Sequence, residues 1–114
     1  MHHLSFIILL FISGSLVAQS TVESIPNQKL ITGSYVSNPN GILDNATVSQ
    51  LDTLLTSLEK QTTAQVAVVV VESIGDADIF EFAQRLFDKW GIGRTGKDNG
   101  LLVLFVNDKR TVRF

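Results

Sequence analysis

Apolar residues fall along this chain in four patterns, and each predicts a different element. Leu4 to Ala18 is an almost unbroken apolar run, LSFIILLFISGSLVA. Gln19 to Asn40 mixes Ser, Thr, Asn, Gln and both prolines with isolated apolar residues, a composition that predicts an extended arm rather than a packed element. Val48, Leu51, Leu54, Leu55 and Leu58 then recur at helical spacing, with Gln50, Asp52, Thr53, Ser57 and Glu59 on the other faces, which predicts a helix over 45–60. Gln65 to Val71 (QVAVVVV) and Leu101 to Val106 are short solid runs, the pattern of strands covered on both faces.

Between those runs, Phe82, Ala83, Leu86, Phe87 and Trp90 form one helical stripe that ends at Gly91, so a second helix is expected over 79–90. Short carboxylates mark both helix starts. Asp44 stands where a side chain accepts the free amides of the first turn, and Asp78 with Glu81 three residues on has the spacing of a capping box. Asn38-Pro39-Asn40-Gly41 is the clearest turn, and Asn107-Asp108-Lys109-Arg110 reads as a hairpin turn into a third strand from Thr111, although it lacks glycine. Strand, helix, strand implies a parallel pair, and the hairpin adds an antiparallel neighbour. The fold class expected is α/β, an α/β/α sandwich with a mixed central sheet flanked by helices. The chain stops at Phe114, four residues into the third strand, so the domain is expected to be truncated at its C-terminus.

The first apolar run changes the picture of where the protein works. Its 15 residues are too few to cross a bilayer, which takes roughly 20, but match the apolar core of a secretory signal peptide. Residues 1–18 are therefore expected to be a cleaved signal peptide, 19–34 an extended linker and 35–114 the domain, secreted or periplasmic. Both histidines, His2 and His3, lie in that leader and the chain has no cysteine. Ser-His-Asp and Cys-His catalysis, zinc and haem sites and disulfides then lack their atoms. A net charge of −2 gives no electrostatic footprint for nucleic acid.

The loop 91–100 carries two phosphate-loop look-alikes. Gly91, Gly93 and Gly96 fit G-x-G-x-x-G, and Gly91 to Lys97 fits G-x-x-x-x-G-K. Both motifs work when a strand precedes the glycines and a helix follows, so that helix-start amides meet the phosphate. Here the order is reversed, and Asp98 stands where a magnesium-binding hydroxyl belongs, so no nucleotide is expected.

Several spaced segments resemble the TPM domain family. These are Val36-Ser37-Asn38-Pro39-Asn40-Gly41-Ile42-Leu43, Thr63-Ala64-Gln65-Val66-Ala67-Val68-Val69, Phe82 to Gly93, and Gly96-Lys97-Asp98-Asn99-Gly100 leading into Leu101-Leu102-Val103-Leu104. The resemblance implies an α/β sandwich in which the family's domains continue past the end of this chain. Members include a thylakoid-lumen protein linked to photosystem II repair, a nematode accessory protein of acetylcholine receptors and many exported bacterial proteins. Some members are described as acid phosphatases or as binding divalent cations.

The same resemblance places candidate chemistry in two loops. Asp98 and Asn99 offer hard oxygen ligands suited to calcium or magnesium, and Lys97 is a candidate for holding an anion. Asn38 occupies a position where the family often has Asp and is expected to face the same site, one charge short. Asp44 and Asp108 are weaker candidates. The reading these residues favour is an exported, non-catalytic binding or assembly and repair-accessory module with a divalent-cation site and a protein or membrane-assembly partner. Membrane anchoring would need sequence beyond Phe114. The alternatives are a metal-assisted acid phosphatase using Asp98 and a calcium-binding structural domain.

Overall fold

The two solid apolar runs form the middle of the sheet. In a computed structural model, which describes residues 19–93 and 99–114, they run parallel as adjacent strands, from Gln65 opposite Gly100 to Val71 opposite Val106. In chain order the elements are α1 (Gln28–Ile31), β1 (Val36–Ser37), α2 (Asn45–Thr62), β2 (Gln65–Val71), α3 (Ile79–Trp90), β3 (Gly100–Val106) and β4 (Thr111–Arg113). Sheet order is β1-β2-β3-β4, with β1 parallel to β2 and β4 antiparallel to β3. The hairpin before β4 closes without glycine because Arg110 itself takes a left-handed φ of 50°.

The helix caps form as their spacing predicts. Asp44 accepts from the Thr47 amide at 2.8 Å and Asp78 from the Glu81 amide at 2.9 Å. Gly91, at φ 65°, ends α3 by donating its N–H to the Phe87 and Asp88 carbonyls. α2 runs two residues past the expected Lys60 and stops where Thr63 turns left-handed.

One face of the sheet is covered from β1 to β3. Val69, Val71, Leu102, Leu104 and Val106 point into a core closed by Phe82, Ala83 and Leu86 of α3. The segment 19–34 corrects the expectation of an extended linker. Val22 and Ile25 are each only 3% exposed in that same core, and α1 follows them. The Ser20 amide donates to the Ser73 carbonyl, and the Ser37 hydroxyl donates to the Pro26 carbonyl. The arm packs because its few apolar side chains fill the space that α3 leaves over β1.

The opposite face is covered on one side only. Val36 and Val70 are buried there, where α2 packs on β1 and β2. By register Leu101, Val103, Phe105 and Val112 share that face, and Leu101 and Val112 are each 45% exposed. No residue of α2 is fully buried. The expectation that both apolar runs are enclosed on both faces therefore holds for Val69 to Val71 and fails for the outer half of β3.

Candidate functional site

Asn38 follows β1 directly, at the carboxyl end of the parallel strands, and its side chain closes its own turn. Its Nδ2 donates to the Leu43 carbonyl at 2.8 Å, and its Oδ1 accepts from the Leu43 amide at 3.2 Å. Asn40, next in the loop, accepts from the Glu72 amide at 3.0 Å and ties the loop to the end of β2. From the other side the Asn107 side chain donates to the Glu72 carboxylate at 3.0 Å, and the Asp108 amide donates to the Glu72 carbonyl. Asn38, Asn40, Glu72, Asn107 and Asp108 thus gather at the edge where open parallel sheets hold ligands. The amide groups among them serve as fasteners between loops.

Asn99 precedes β3, at the amino end of the strands. Its Nδ2 donates to the Thr63 carbonyl at 2.6 Å and to the Thr63 hydroxyl at 2.8 Å, while its own carbonyl accepts from the Gln65 amide. The turn beneath it is tight, since a Cβ on Gly100 would lie 2.8 Å from the Gly93 nitrogen. Asp98 and Lys97, the other candidates in this loop, lie outside the described residues.

Asn38 and Asn99 do not share a site. Val36, Val68 and Val103 are in register across β1, β2 and β3. Asn38 lies two residues beyond that line and Asn99 four before it, which separates them by about 20 Å at roughly 3.3 Å per residue. An ion bound at about 2.4 Å from each oxygen cannot bridge them. The expectation that Asn38 and Asn99 face one site is corrected accordingly. Parallel strands send the loop after one strand and the loop before the next to opposite ends, a consequence that motif matching along the chain does not reveal.

Asp44 acts as a cap. Hydrogen bonds from the Thr47 side chain and backbone hold its carboxyl below the usual value of 3.8. Among the described residues no three Asp, Glu, His or Cys side chains converge as a metal centre would need.

The structure also assembles a cleft that the periodicity does not announce. Asp52, expected on an outer face of its helix, accepts from the Tyr35 amide at 2.8 Å and from the Ser34 hydroxyl at 2.8 and 3.0 Å, fixing α2 against the start of β1. One helical stretch further on, Glu59 accepts from the Tyr35 hydroxyl at 2.6 Å. Lys29 of α1 sits over the Tyr35 ring, 3.7 Å from its centre. Trp90 and Ile92, at the end of α3, complete a cleft of about 160 Å³. The i, i+7 spacing of Asp52 and Glu59 on one stripe of α2 was the signal available in sequence.

Residues 36–114 match the TPM domain family. No curated protein matches the chain. Among solved structures, the chain is similar to the solution NMR structure of the N-terminal domain of a protein from P. gingivalis, with 33% identity and a TM-score of 0.77. That match covers 85% of this chain and 62% of the other, so this chain spans less than two thirds of its neighbour's length. With 85% of this chain covered by that structural match and the family model running from Val36 to Phe114, the chain belongs to the TPM domain family.

Proposed function

We propose that this chain is an exported, non-catalytic binding module of the TPM family, and that the open half of its sheet receives an amphipathic helix, supplied by the continuation of its own domain or by a partner protein. The observation that carries this reading is the strip formed by Leu101, Val103, Phe105 and Val112. Seven-residue β3 offers the length of about fifteen helical residues, and along Leu104–Val106, where three-residue β4 pairs with it at about 4.8 Å, the strip is roughly one helix diameter wide. Contiguous exposed apolar surface of this kind marks interaction sites in soluble proteins. The apolar run Leu4–Ala18 supports export. Calcium or magnesium enters this reading only at the Asp98–Asn99 loop, and in a structural role.

The absence of cysteine makes the test direct. Leu101→Cys and Val112→Cys, introduced singly into the full-length protein, should react freely with a maleimide, and an amphipathic helical peptide should slow both reactions. Protection of both thiols in the full-length protein alone would assign the cover to its own domain and overturn the partner reading. Phosphate-ester hydrolysis by the wild type and Asp98→Ala tests the alternative. The proposed module shows no turnover that depends on Asp98, whereas Asp98-dependent turnover replaces it with a metal-assisted phosphatase.

A further inference from the structure

We infer that the cleft between α1, β1 and the end of α3 binds a free amino acid with an apolar side chain. Its walls are apolar, supplied by Leu30, Ala67, Trp90 and Ile92. Its volume of about 160 Å³ is well below the roughly 300 Å³ at which drug-sized ligands begin, and suits a molecule the size of one residue. Its charged groups are two and of opposite sign, set among the neutral side chains of Asn27, Ser34, Ser37 and Gln65. The Lys29 ammonium lies over the face of the Tyr35 ring, and the Glu59 carboxylate meets the hydroxyl at the ring's tip.

That arrangement keeps two charges in one cleft without letting them cancel. Among the described residues the ion pair present joins Arg85 to Glu23, and Lys29 and Glu59 are not within pairing distance of each other. The phenol ring holds them apart. A ligand carrying only a cation would be drawn to Glu59 and repelled by Lys29, and an anion would meet the reverse. A zwitterion satisfies both, its ammonium on the free side of Glu59 and its carboxylate on Lys29, while its side chain packs against Trp90 and Ile92. This complementarity is independent of the open sheet face, so either proposal can fail alone.

Trp90 is the chain's single tryptophan, so its emission reports directly on this cleft. Titration of the full-length protein with leucine or methionine should give a saturable change in that emission. N-acetyl-leucine, which lacks the ammonium, and leucine amide, which lacks the carboxylate, should each bind at least tenfold more weakly. Glu59→Gln, which keeps an acceptor for Tyr35, should abolish discrimination against N-acetyl-leucine, and Lys29→Met should abolish discrimination against leucine amide. Amide NMR spectra of both variants confirm that the fold is retained. The inference is overturned if neither amino acid gives a saturable change up to tens of millimolar, or if binding and discrimination are unaltered in both folded variants.

Discussion

At the scale of single residues, the polar side chains of this domain are largely spent on holding loops in place, and their chemistry follows from that. Asn38 is the clearest case, because both ends of its amide are used, one donating to and one accepting from Leu43. A carboxylate there can still accept but cannot donate. Asn38→Asp should therefore place a negative oxygen against the Leu43 carbonyl. The expected loss is about 1 to 2 kcal/mol at neutral pH, read as a lower urea midpoint with unchanged slope. An unchanged midpoint would mean that the loop has re-formed around the carboxylate. Asp44 provides a second residue-scale prediction through its depressed pKa. The charged form is favoured in the folded state, so its contribution is present above the usual carboxyl value of 3.8 and is lost as pH falls through the lower folded value. Asp44→Ala should lower Tm at pH 7, and the gap to wild type should close progressively below pH 3.8. A gap that persists at pH 2 would assign the effect to helix propensity instead of the charge.

At the scale of elements, the two long helices differ in how the fold uses them. α3 lays Phe82, Ala83 and Leu86 into the core, and Leu86 is 0% exposed. Leu86→Ala should cost about 3 kcal/mol, since the surrounding side chains of Val69, Leu104 and Val106 sit on a sheet that cannot collapse into the space. A loss under 1 kcal/mol, by thermal or urea unfolding, would show that α3 packs more loosely than described. These elements were legible in the sequence because their signals are local and repeated. α3 begins and ends where Asp78 and Gly91 place it, and β2 matches the apolar run from Gln65 to Val71 residue for residue. The N-terminal arm was not legible, because Val22 and Ile25 stand alone among polar residues and have no period to read. Their burial depends on a gap over β1 that exists only once the sheet has formed. Nor was the separation of the two matched loops legible, since it follows from strand direction and not from spacing. The cleft did not show because Lys29, Tyr35, Glu59 and Trp90 come from four different segments.

At the scale of the whole molecule, the asymmetry of the two sheet faces decides how the protein meets others. One face is closed by α3 and the arm, while the other is closed only where α2 lies on β1 and β2. The open half combines the exposed Leu101 and Val112 with the half-buried Val103 and Phe105, and α2 on the same side leaves Leu54 65% exposed. Apolar area that the described residues leave uncovered favours a helix that covers it, from the same domain or from a partner. Charges placed there should therefore separate stability from binding. Leu101→Asp with Val112→Asp should destabilise by roughly 1 kcal/mol per site, since each side chain is about half exposed and Asp is a poor strand former. The same pair should abolish binding of an amphipathic helical peptide of about fifteen residues, measured by fluorescence anisotropy, because each carboxylate would have to be desolvated beneath the docked helix. Leu54→Asp, on α2 and away from the strip's two strands, serves as the comparison and should weaken binding much less. A double variant that unfolds would place these side chains in the core, and one that binds the peptide as the wild type does would move the interface elsewhere.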